Sequence, residues 1–102
     1  MHARLVEFSG ADGKRDQFVE TIQGTVLPML RTYDGFAGYI ALHAEGQDRA
    51  KALLLWETQE AAESAEETLA ERRQQLAGGV GLTVESADLY EAPVVELGAA
   101  RV

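Results

Sequence analysis

The chain of 102 residues contains no cysteine, which excludes disulfide cross-links and thiolate chemistry. Asparagine is also absent, and there are only two prolines, two histidines, two methionines and one tryptophan. Apolar runs are short. The longest stretch of large apolar residues is Leu53-Leu54-Leu55-Trp56, far below the ~20 residues of a membrane-spanning helix. Positive charge is scarce, with nine Lys and Arg against seventeen Asp and Glu, a net charge of -8. Such a surface repels phosphate backbones and anionic lipid, so neither nucleic acid nor a membrane is expected as a partner. No stretch near Met1 has the length and apolarity of a signal peptide, which makes the cytoplasm the expected compartment.

What remains is 46% hydrophobic and 25% charged, the composition of a folded globular domain. One domain over residues 1–97 is expected, with 98–102 as a loose tail. A domain of this size hides only roughly two-thirds of the surface its unfolded chain exposes, so pairing with a second copy would add stability.

Residues 3–8 read as a first strand, closed by the glycine-containing turn Ser9-Gly10-Ala11-Asp12-Gly13. Phe18, Ile22, Val26, Met29 and Tyr33 then recur at steps of three and four, predicting a helix over 14–32 with Asp12 as its cap. Pro28 lies inside it and conflicts with the carbonyl four residues back, that of Gly24, so a bend is expected there. Residues 36–44 and 50–57 read as a β-hairpin about Glu45-Gly46-Gln47-Asp48. Thr58 followed by Gln59 and Glu60 is a helix start. That second helix, predicted over 59–76, carries Ala62, Ala65, Leu69 and Leu76 on one face and stops at Gly78-Gly79. Residues 82–97 supply a last strand, in which Ser86, Asp88 and Pro93 imply a bulge or an edge position.

The order βαββαβ predicts an α+β, ferredoxin-like fold: a four-stranded antiparallel sheet with both helices on one face. Large apolar residues fall on both parities of the strands, so the opposite face would be an exposed apolar patch. Two sheets packed face to face would cover it.

The polar Arg4 near the start of the first strand, the junction Tyr33-Asp34-Gly35-Phe36-Ala37-Gly38-Tyr39, and Leu55-Trp56-Glu57-Thr58-Gln59-Glu60-Ala61 together resemble the antibiotic biosynthesis monooxygenase family of small dimeric α/β barrels. The resemblance implies a homodimer with one small pocket per subunit that accepts a hydrophobic or aromatic ligand. Its haem-degrading branch is disfavoured, because Arg4 stands where that branch has asparagine and no histidine lies between Gln59 and Leu76. Its cofactor-independent oxygenases of quinols and phenols fit better, with neither cofactor nor metal expected. In that reading Arg4, His43 and Trp56 are the candidate catalytic residues. Phe18, Ile22, Tyr39 and Trp56 are the candidate substrate-binding residues. The alternative is a non-catalytic, small-ligand-binding or stress-related dimer.

Each candidate also has a structural reading. Trp56 can be a packing residue. Arg4 can be neutralised by Glu7, Glu85 or Asp88. His43 can be an incidental hairpin residue, since His43 and Glu45 supply only two potential metal ligands. The acids Glu60, Glu63, Glu66, Glu67 and Glu71 read as a solvated helix face. Hairpin register decides the rest. If residue 43 pairs with residue 50, then Ala37, Tyr39, Ala41 and His43 share the face of Trp56. A one-residue slip substitutes Phe36, Gly38, Ile40 and Leu42.

Overall fold

Alternation along β1 (His2–Ser9) sets the two sides of the molecule in the computed structural model, which describes residues 1–98. Arg4, Val6 and Phe8 point toward the helices, and Ala3, Leu5 and Glu7 point away. β2 (Phe36–Ala44) and β3 (Arg49–Trp56) form the hairpin, and β4 (Thr83–Glu91) returns along β1. All pairings are antiparallel, in the order β2-β3-β1-β4. This is the ferredoxin-like α+β fold, with both helical segments packed on one face. The last four residues of the expected tail, 99–102, lie outside the described residues.

His43 pairs with Ala50, so Tyr39, Ala41 and His43 do lie on the face of Trp56. Ala37 does not join them, because the register shifts between Phe36 and Gly38 and brings Phe36 opposite Trp56. The bulge expected in the last strand is present: Glu7 pairs with Ser86 and Phe8 with Val84, leaving Glu85 as the extra residue. That strand ends at Glu91, well before residue 97.

The first helical segment comprises α1 (Arg15–Thr21), a π-helical turn (Ile22–Val26) and α2 (Leu27–Leu30). Pro28 explains the break. Its missing N–H would orphan the carbonyl of Gly24 in a continuous α-helix. Widening the ladder instead gives Leu27 N–H a bond to the Ile22 carbonyl and leaves Pro28 in the first turn of α2, where no donor is needed. Asp12 is not the cap. Lys14 holds the N-cap position without a side-chain bond, while Asp12 N–H donates to Asp48 Oδ1 at 3.3 Å.

α3 (Gln59–Gly79) is capped by Thr58, whose Oγ1 accepts from Ala61 N–H at 3.0 Å. It ends at Gly78-Gly79 with Val80 as its C-cap, and the chain turns away at Gly81, where φ is +77°. Leu82 N–H bonds the Ala77 carbonyl at 2.8 Å and Gly81 N–H the Gly78 carbonyl at 3.2 Å. This is a Schellman ending, closed by the contact of two buried residues, Ala77 and Leu82.

Candidate functional site

The space between the first helical segment, α3 and the sheet is incompletely filled. A cavity of about 70 Å³ remains. Its walls are Phe8 and Leu54 from the sheet, Phe18 and Ile22 from the first segment, and Leu69 and Leu76 from α3. Phe8 and Phe18 meet edge to face with ring centroids 5.8 Å apart. Three polar side chains interrupt this lining: Thr21, Tyr39 and Arg73.

Arg73 is fixed by a network that reaches into the sheet. Its Nη1 and Nη2 donate to Glu66 Oε2 and Oε1 at 2.8 and 2.7 Å, a bidentate pair. Arg4 approaches the same carboxylate, with Nε 3.6 Å from Oε1, and its Nη1 donates to the Ala87 carbonyl at 3.2 Å. The side chains of Arg4 and Arg73 are each only 11% exposed, and that of Glu66 is 24% exposed. Two largely buried cations therefore share one carboxylate, which leaves one positive charge in excess at the cavity wall. Burial by itself would raise the carboxyl of Glu66. The bonds and charge of Arg73, joined by the charge of Arg4, outweigh it and hold the group below its ordinary range. Tyr39 goes the other way. Burial pushes its phenol up to about 12 despite the lowering influence of Arg73, so it is a neutral donor at physiological pH.

The expected site residues separate into two groups. Phe18, Ile22 and Tyr39 line the cavity together. Trp56 and His43 do not. Trp56 is 1% exposed and meets the rings of Tyr33 and Phe36 in T-shaped contacts, with centroids 6.3 and 5.7 Å away. His43 Nε2 lies 3.0 Å from the Ala11 carbonyl, and its ring packs beside Phe18. Arg4 is not neutralised by any of its expected partners. Glu7 is engaged by Lys51 at 3.0 Å and by Ser86, and Glu85 accepts from Ser9 at 2.6 Å. Asp88 lies opposite Leu5, on the far face of the sheet. The partner is Glu66, which the acidic run had placed on a solvated face. Glu66 and Arg73 were missed although a signal existed: they sit four residues after Ala62 and Leu69 on the apolar stripe and two helical turns from each other. Among the described residues, no group of three or more metal-ligating side chains converges, and no helix is long and apolar enough to cross a membrane.

The model of the antibiotic biosynthesis monooxygenase family matches residues 1–77. The chain belongs to this family. The family member has the same fold as several solved structures at low sequence identity. The monooxygenase ActVA-Orf6 of Streptomyces coelicolor, solved with nanaomycin D, is 19% identical with a TM-score of 0.70, covering 96% of this chain and 92% of that one. SnoaB, a cofactor-independent oxygenase from Streptomyces nogalater, is 15% identical with a TM-score of 0.68, covering 92% and 94%. HapK from Hahella chejuensis is 12% identical with a TM-score of 0.69, covering 98% and 100%. No curated protein matches the chain.

Proposed function

We propose that this member of the antibiotic biosynthesis monooxygenase family is a cofactor-independent monooxygenase acting on an acidic phenol or quinol-like small molecule. The observation that carries this reading is the excess positive charge of the Arg4–Glu66–Arg73 network at the wall of an otherwise apolar cavity. A phenol bound there loses its proton more readily, because the guanidinium of Arg73 stabilises the anion in a poorly solvated space. Tyr39, neutral and with no hydrogen-bond partner among the described residues, donates to the same oxygen or to a neighbouring one. Phe18 and Ile22 hold the ring, and Arg4 positions Arg73 through Glu66.

The chemistry then belongs largely to the ligand. Its anion passes one electron to dioxygen, and the resulting radical and superoxide combine to form a C–O bond. Protonation from water gives a hydroperoxide, and loss of water leaves a new carbonyl. One oxygen atom enters the product and the other leaves as water. No step is assigned to His43 or Trp56, which lie outside the lining. The reading predicts oxygen consumption with a panel of quinols and hydroxyanthrones that is lost in Arg73→Gln protein with unchanged folding. Absence of turnover across the panel would refute it.

The cavity volume supports a second reading. At about 70 Å³ it is half of the roughly 150 Å³ in which an apolar cavity takes up benzene, so without widening it suits one small ring rather than several. A non-catalytic carrier of a small hydrophobic or aromatic ligand would bind single-ring phenols and consume no oxygen.

The opposite face of the sheet supports a homodimer. Leu5, Leu53, Ile40, Leu42 and Tyr90 share it, with Leu42 and Tyr90 about half exposed. Light scattering at micromolar concentration should give twice the mass of the chain, and a monomer would refute the pairing.

A further inference from the structure

We propose that Met29 is a peroxide-oxidised site whose sulfoxide latches the mouth of the cavity. The inference rests in part on the ligand-binding reading above. Met29 belongs to α2 and lines the cavity, while Arg72, on α3, lines a polar groove on the outside with Tyr33, Glu71 and Gln75. The two residues touch, with Arg72 Nη1 3.5 Å from Met29 Sδ. Their contact bridges the two helical segments between inner cavity and outer groove. A small polar oxidant therefore reaches the thioether from solvent without crossing the core.

The local chemistry favours oxygen transfer at this sulfur. In the reaction with hydrogen peroxide the sulfur lone pair attacks one peroxide oxygen and the O–O bond breaks. The sulfur is oxidised by two electrons to a sulfoxide, and the second oxygen leaves as water. The guanidinium of Arg72 faces the sulfur, where it stabilises the departing oxygen and then the sulfoxide oxygen. A weak N–H···S contact becomes a charge-assisted N–H···O bond. Met29 is thereby pinned to α3 across the mouth, and passage of ligand slows. Because the chain has no cysteine, no thiol competes for the oxidant. The other methionine, Met1, is an internal reference with 49% of its surface exposed.

The test treats the intact protein with limiting hydrogen peroxide and follows both methionines by peptide mass mapping. Met29 should gain oxygen roughly threefold faster than Met1 despite its lower exposure, and Arg72→Gln should abolish that advantage. Uptake of 1-naphthol, followed by stopped-flow fluorescence, should slow about fivefold after oxidation. It should recover with methionine sulfoxide reductases and dithiothreitol, and in Met29→Leu protein it should be indifferent to peroxide. Slower oxidation of Met29 than of Met1, an unchanged ratio in Arg72→Gln, or unchanged uptake by the oxidised protein would overturn the proposal. If the unoxidised protein takes up no 1-naphthol, the ligand reading fails and the latch with it. The ratio of the two oxidation rates still decides the oxidation site.

Discussion

Replacing Glu66 by glutamine leaves the shape of α3 intact and removes the one carboxylate that Arg4 and Arg73 share among the described residues. Breaking a fully buried ion pair from one side costs about 3–5 kcal/mol. Glu66 retains 24% exposure and glutamine still accepts one hydrogen bond, so about 1–3 kcal/mol is the appropriate range here. For a domain of this length, ~1 kcal/mol corresponds to about 4–8 °C, which places the drop in Tm near 10 °C. Differential scanning calorimetry at pH 7 and low salt measures it. Two further signs identify the cause as charge. The folded-state pKa of Glu66 is lowered, so its contribution is present above the unfolded carboxylate value and is lost as pH falls through the folded value. The gap between wild type and Glu66→Gln should accordingly narrow as pH falls below the unfolded carboxylate value of about 4.3. The uncompensated positive charge should also tighten binding of a phenolate while leaving a neutral ring of the same size unaffected. A Tm within about 2 °C of wild type, with phenolate affinity unchanged, would show that the two arginines are solvated independently and would refute the network.

Other outcomes follow from the same geometry. Trp56→Ala should cost about 3–5 kcal/mol in denaturant unfolding, since the rings of Tyr33 and Phe36 would line a void. Trp56→Phe should lose far less, and a fold indifferent to both would remove Trp56 from the core. Tyr39→Phe should leave Tm within about 2 °C, because no group among the described residues bonds its hydroxyl, and should weaken phenolate binding roughly fivefold by calorimetry. Gly35→Ala should destabilise by more than about 1 kcal/mol. Its φ is +79° and the new methyl would stand 2.6 Å from Ala61 Cβ; an unchanged midpoint in urea would refute this account of the β2–α3 junction.

Much of the fold was legible because local signals agreed with the global pattern. Thr58 capped the helix it was expected to cap, whereas the hairpin register stood open between two alternatives until the structure paired His43 with Ala50. The errors arose where a backbone problem had more than one local solution. Pro28 demanded a break, but its form as a π-turn depended on where the ladder could widen. Gly78-Gly79 did supply the stop, and the capping turn was completed beyond it at Gly81, where Leu82 could bury itself against Ala77. In the site, Phe18 and Ile22 were legible as lining positions because apolar side chains on the inner stripe must line whatever space remains, whereas Tyr39 depended on the hairpin register. Arg4 was legible as a buried cation. Its partner was not: Glu66 and Glu67 differ by a rotation around α3, and the signal that separates them, Glu66 falling four residues after Ala62 on the apolar stripe, is masked by the acidic run around it.

That rotation has a consequence for selectivity. Glu67 points to the outer groove with Arg72, and Glu66 points inward with Arg73. Adjacent acid and base pairs on one helix thus serve opposite sides of the same wall. The outer pair is solvated and screened, so it contributes little to affinity. The inner carboxylate is shared by two arginines in a poorly solvated space, and the resulting excess charge is felt by whatever occupies the cavity. Exchanging charge on the outer side should therefore leave ligand affinity nearly unchanged, whereas Arg73→Gln should reduce phenolate affinity by about tenfold with little effect on a neutral ring of equal size. Isothermal titration of the phenolate and neutral probes against Glu67→Gln and Arg73→Gln proteins separates the two. Equal losses for both ligands would mean that Arg73 shapes the cavity rather than charging it.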